Sequence, residues 1–296
     1  MAGKFDAQQW VTERIVAAIE AGTPPWRQPW AGTARGAVFP YRACGEAYRG
    51  INVILLWLEA WEKGYTSRFW FTYRQAQTLG GQVRKGEKSA SVIKFGTFEK
   101  AGEAAEEDDR RAIPFTKLYA VFNVDQIDGL PETYHRRPEA PRDLGTEPDR
   151  ALEAFFAATG AVIVSSSDPR AYYDPKADRI HMPPIRTFHA MAGYYATLAH
   201  EATHWTGHAS RLDRLAKFAD RDAYAFEELV AELGNVMLCA RLGLTPDFGQ
   251  SAAYVESWLR ALRNDKRAIF RAAAEAQKAV DFLLEAGGGV AERSAA

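Results

Sequence analysis

The chain has 296 residues, 47% hydrophobic and 25% charged, with a formal net charge of −1. That is enough material for one large domain or two of ordinary size, and the overall balance excludes a strong global field for polyanions. Two cysteines, Cys44 and Cys239, exclude a disulfide scaffold and a cysteine-rich metal cluster.

Asp6 followed by Gln9 marks a helix start, with Val11, Ile15 and Ile19 on one face and a stop at Gly22 and Pro24-Pro25. The segment PPWRQPW is too rich in proline for a regular element. A second helix runs through INVILLWLEAWEK and ends at Gly64, and Thr72 with Gln75 opens a short third one. SASVIKFGTF and IPFTKLYAVFNV read as a hairpin joined by the acidic loop 101–111. Residues 131–149, with Pro131, Pro138, Pro141 and Pro148, read as an interdomain linker, which predicts little packing between the parts it joins. Beyond it come the strand AVIVSS, a hairpin in YYDPKADRIHMPP, helices over 188–206 and 224–242, and two more out to about 285. The expected organisation is α+β: residues 1–130, a linker at 131–149, a mainly helical domain over 150–286, and a disordered tail at 287–296. No apolar run is long enough to span a bilayer and the N-terminus lacks a signal-peptide core, so a cytoplasmic protein without a membrane partner is expected.

The chemistry concentrates in His200-Glu201-Ala202-Thr203-His204. Residues four apart share a helix face, so both imidazoles can reach one divalent ion, with Glu201 placed as general base. Leu198, Ala199, Ala202 and Trp205 make this helix interior, where two histidines and a glutamate need a reason. A third ligand is expected downstream in AYAFEELVAELG, where Glu228 and Glu232 share a face and Glu227 points elsewhere, towards solvent. Glu228 as ligand with Glu232 as its outer partner is one assignment, and the reverse is the other. His208 lies too far along the axis to complete the set. Three ligands with an open position mark a catalytic site, for Zn²⁺ or, given the carboxylate, Mn²⁺. DRIHMPP could be an edge strand that pairs with an extended peptide. His181, Tyr194 and Tyr195 are candidate oxyanion stabilisers, with packing as the plainer role.

Residues 1–98 hold 13 Lys/Arg against 7 Asp/Glu. Within them Trp26, Arg27, Trp30, Arg42, Arg49, Arg68 and Arg74 interleave rings and cations, and Arg84, Lys85 and Lys88 form a basic loop. Such mixtures hold single-stranded nucleic acid, rings stacking on bases and cations following phosphates. Trp57, Trp61, Trp70 and Phe71 suit a core, whereas Trp26 and Trp30, in their proline-bound loop, suit it least.

Taken together, PPWRQPW, YRGINVILLW, FWFTYRQAQTLGGQVRKGEKS, VFNVDQIDGL, HEATHWTGHASRL and EELVAELG resemble the ArdC-type antirestriction proteins of conjugative plasmids. The N-terminal part is also similar to a region of some plasmid primases. The likeness covers nearly the whole chain and departs chiefly at the acidic insert 101–111. It implies a single-stranded-DNA-binding domain joined to a zincin-like metallopeptidase domain, protecting incoming plasmid DNA from host restriction, with delivery into the recipient during conjugation as a further expectation. It leaves two functions in competition: a DNA-binding shield with a structural metal, or a peptidase directed at a host protein or peptide.

Overall fold

The computed structural model describes residues 5–26, 39–99, 112–136, 142–215, 221–246 and 254–288. Arg27, Trp30, the acidic loop and nearly all of the expected tail lie outside them. The fold is the expected mixed one, an N-terminal α+β part followed by a mainly helical part.

Helix α1 (Ala7–Glu20) starts where the Asp6 carboxylate accepts the amides of Gln8 and Gln9 at 3.0 and 3.1 Å. Helix α2 (Ile51–Lys63) ends at Gly64, whose φ of +71° is the left-handed cap that glycine adopts without strain. Between them lies β1 (Tyr41–Arg42), and after them β2 (Phe69–Phe71) and α3 (Tyr73–Thr78), the latter closed by the reciprocal Thr72–Gln75 capping box. Strands β4 (Ala90–Glu99) and β5 (Ala112–Asn123) form a ten-pair antiparallel hairpin. The sheet order is β1-β2-β5-β4, with β3 (Gln82–Val83) and β6 (Ile127–Asp128) paired separately.

The second part begins with α4 (Arg150–Ala158) and a three-stranded sheet of β7 (Val162–Ser165), β8 (Tyr172–Asp174) and β9 (Arg179–Met182), in the order β7-β9-β8. Strand β9 is therefore central: it pairs with β7 and with β8. The expectation that DRIHMPP offers a free edge to a peptide is overturned, because both of its hydrogen-bonding sides are used within the chain. Helices α5 (Met191–Thr206), α6 (Arg221–Leu242), α7 (Val255–Asn264) and α8 (Ala268–Ala286) complete the fold.

The expectation of loosely joined parts also fails. One continuous core takes in side chains of α1, α2 and the first sheet together with α5 to α8. Trp26 is fully buried, edge-on to Trp258 of α7 at 6.1 Å between ring centroids. Thr12 Oγ1 donates to the Lys266 carbonyl at 2.8 Å, and the Gly50 amide donates to Gln277 Oε1 at 3.0 Å. Phe95 of the hairpin meets Phe270 of α8 at 5.8 Å. The connecting segment is itself fastened, since Tyr134 packs on Phe71 at 4.9 Å and the Arg142 amide donates to the Gly243 carbonyl. Proline-rich composition reports the chain's local stiffness and says nothing about what packs across it.

Candidate functional site

The donors come from two helices that pack closely. A Cβ on Gly234 of α6 would lie 2.5 Å from Thr203 Cγ2 of α5, so only glycine permits this approach. Leu198, Ala199, Ala202 and Trp205 fill the apolar side of α5, which turns His200 and His204 towards α6. Their rings lie 4.9 Å apart at 81°. His200 Nε2 is 3.7 Å from one oxygen of Glu228, and His204 Nε2 is 3.7 Å from the other. These spacings are long for hydrogen bonds and fit donors that share an ion, since tetrahedral ligands about 2.1 Å from a metal stand about 3.4 Å apart. One donor atom from each of the three residues falls within 4.8 Å of the others. Glu201 is buried beside them.

The residue beside Glu228 corrects the sequence reading. Glu227 is not solvated: it is 3% exposed, and its Oε1 lies 3.0 Å from His204 Nδ1. Adjacent helix positions do diverge by about 100°, but His204 sits between α5 and α6 and its two ring nitrogens face opposite ways. Glu227 therefore meets Nδ1 while Glu228 meets Nε2. Arg214, only 4% exposed, donates to both oxygens of Glu227 at 2.7 and 2.8 Å and to the Thr203 carbonyl at 2.7 Å. A carboxylate is an acceptor, so Glu227 holds the hydrogen on Nδ1 and leaves Nε2 aimed at Glu228. Glu232 is buried one turn beyond Glu228. No signal in the sequence pointed to Arg214, which reaches the site from the loop after α5.

Electrostatics follow from this arrangement. Burial alone would raise the Glu228 carboxyl, but polar contact with His200, the His204 and His200 charges and the Tyr224 hydroxyl hold it at about 2. Burial works against the charged form of His204, yet its contact with Glu227 and the charges of Glu228, Glu227 and Glu201 push it up to about 9. Glu227 likewise stays below its ordinary value despite burial, because of Arg214 and His204. The site is thus an anionic pocket built around two imidazoles.

The remaining candidates separate from it. The helix ends before His208, whose Nδ1 meets Ser210 Oγ at 2.8 Å. His181 stacks on Tyr172 at 4.5 Å, Tyr194 packs against Phe188, and Tyr195 donates to Glu153 at 2.6 Å, all packing or anchoring roles. Among the basic candidates, Arg42 pairs with Glu46, Arg49 with Asp281 of α8, and Arg68 lies over the Tyr41 ring. Arg84 contacts Glu87 and Asp128, while Arg74, Lys85 and Lys88 are exposed. Trp26 is withdrawn from the surface by Trp258 and is corrected from a DNA contact to a core residue. Sequence reasoning passed over Lys94 and Lys117, which stand directly opposite each other on β4 and β5. Both are exposed, and among the described residues neither has an acidic partner. Their alternation in the strand pattern was the available signal.

Comparison with known proteins places this geometry. Residues 5–122 match the N-terminal domain of the anti-restriction factor ArdC, and residues 150–275 match the zincin-like metallopeptidase family. A crystal structure of the antirestriction protein ArdC from plasmid R388, metal-free, is 65% identical, with a TM-score of 0.88 over 96% of this chain and 98% of that one. The chain belongs to the ArdC antirestriction family. The Mn(II)-bound form of the R388 protein superposes at a TM-score of 0.84. Protein y4eC of Sinorhizobium fredii (strain NBRC 101917 / NGR234) is 39% identical over 289 residues, which are 94% of this chain and 91% of that one. The DNA primase TraC of Escherichia coli is also 39% identical, over 93% of this chain but only 26% of the primase. Family membership agrees with the α+β and helical halves and with a metal centre in the second. Among the described residues no helix is long and apolar enough to cross a membrane.

Proposed function

We propose that the chain binds single-stranded DNA, protects incoming plasmid DNA from host restriction endonucleases, and carries a metal-dependent hydrolytic centre of peptidase type. The observation that carries the hydrolytic part is the convergence of His200, His204 and Glu228 beside buried Glu201. Two imidazoles and a carboxylate suit Zn²⁺, with Mn²⁺, the ion of the Mn(II)-bound R388 protein, as the other choice. When bound, the ion supplies Lewis acidity towards a carbonyl and lowers the pKa of water. His200, His204 and Glu228 hold it. The Glu227–Arg214 pair fixes the His204 ring, and Glu201 takes up the proton from the attacking water.

The DNA part is supported by the excess of cations in residues 1–98, by the exposed Lys85, Lys88, Lys94 and Lys117, and by the match of residues 5–122 to the ArdC N-terminal domain. Like charges directly opposite across two strands destabilise a bare hairpin, which a polyanion would relieve.

The test is a mating into a restricting recipient that does or does not express the chain. A higher yield of unmodified plasmid is expected with it, and equal yields contradict the reading. Glu201→Gln should lower peptide hydrolysis by about a hundredfold or more while keeping the metal, and undiminished hydrolysis would remove Glu201 from its role. The same variant in the mating separates the two routes: lost protection assigns it to hydrolysis, retained protection to DNA binding.

A further inference from the structure

A cleft of about 640 Å³ opens on the N-terminal sheet between α3, the β3 turn and β5. One wall is aromatic. Tyr73, 44% exposed at the start of α3, sets its ring edge-to-face with Phe122 of β5 at 6.3 Å. The Tyr73 hydroxyl is fixed by Gln82, whose Nε2 donates to it at 3.2 Å. The other wall is planar and polar: Arg84 donates to Glu87 at 3.0 Å, to Asp128 at 3.2 Å and to the Asp125 carbonyl. These contacts hold the guanidinium in one orientation.

The charge pattern chooses the occupant. Glu87 and Asp128 both pair with Arg84, so its guanidinium is already engaged and is not offered to a phosphate, while Lys85 extends from the lining to the rim. Four charged side chains equally disfavour an aliphatic anchor, which would strand them unsolvated. A flat ring with hydrogen-bonding edges suits both walls of this shallow, open cleft. Exposed Lys85 on the rim and Lys88 just beyond it can follow the phosphates on either side. We propose that this cleft takes an unpaired base of single-stranded DNA stacked on Tyr73, an inference that rests on the DNA-binding role proposed above.

The experiment uses the full chain and two fluorescent probes, a thymidine 12-mer and a 12-mer of abasic sites with the same phosphates. The wild type should bind the thymidine probe more tightly. Tyr73→Ala should weaken that binding by roughly 5- to 100-fold, the stacking contribution of one base. Its affinity for the abasic probe should not change, which also reports an intact fold, and Tyr73→Phe should retain binding. Equal affinity of wild type and Tyr73→Ala for thymidine, or equal wild-type affinity for both probes, overturns the base site while leaving backbone binding in place. A wild type that binds neither probe at low salt overturns the DNA-binding reading, and this inference with it.

Discussion

The α5–α6 pair and the β4–β5 hairpin treat charge in opposite ways. Between the helices, buried Arg214 and Glu227 and half-buried His204 form one connected set, each answered by a partner in the chain. On the hairpin Lys94 and Lys117 face each other at the surface, with no acidic partner among the described residues. Buried charge is tolerable only when paired, so the first set is fixed by folding and has one arrangement. Exposed charge costs little and leaves its partner to be found outside the molecule. The difference teaches where each proposed function would be written: the proposed metal centre in intramolecular pairing, the proposed DNA surface in its absence.

If that contrast is right, cutting the buried set should hurt most. Arg214→Ala leaves Glu227 buried without its cation, which should cost about 3–5 kcal/mol of stability in denaturant unfolding. Metal affinity should fall about 10- to 100-fold as the His204 ring loses its support. A variant as stable as the wild type, with unchanged metal binding, would show that the pairing is dispensable.

Trp26 sharpens the contrast from the other side, because it is aromatic, N-terminal and buried. Trp26→Ala should destabilise by about 3–5 kcal/mol by opening a cavity against Trp258, with little change in DNA affinity once folded. Weakened DNA binding at full stability would return Trp26 to the surface.

The smallest effect should come from the hairpin. Replacing both Lys94 and Lys117 by Ala should leave stability unchanged or slightly higher. The salt dependence of single-stranded-DNA binding should flatten by about 0.7 in slope for each phosphate that is no longer neutralised. An unchanged slope would mean that DNA passes elsewhere.

These regions also differ in how far the sequence alone could carry the reading. His200, Glu201, His204 and the Glu228 turn were legible because helical periodicity is local and puts positions four apart on one face. Glu227 and Arg214 were not, since their partner is fixed by how α5 and α6 cross and by where the following loop returns. The same holds for Trp26, whose proline-bound setting suggests a surface until Trp258, 232 positions away, covers it. The continuous core likewise rests on contacts over long sequence separations, invisible to composition. Strand β9, by contrast, is central through near neighbours, β8 in a hairpin and β7 in parallel, and it is the strand order that local pattern does not give. The spans of α1, α2, α3 and the β4–β5 hairpin and the caps at Asp6, Gly64 and Thr72 depend on neighbours alone, so the sequence places them close to where they lie. Helix α4, capped by Asp149, falls where the sequence reading assigns no element.

The centre stands or falls on which side chains hold the ion, and elemental analysis after dialysis against Zn²⁺ or Mn²⁺ tests this most directly. One ion per chain is expected for the wild type, with marked loss in Glu228→Ala and retention in Glu232→Ala and His208→Ala. Full occupancy in Glu228→Ala, with loss in either of the other two, would contradict a centre built from His200, His204 and Glu228.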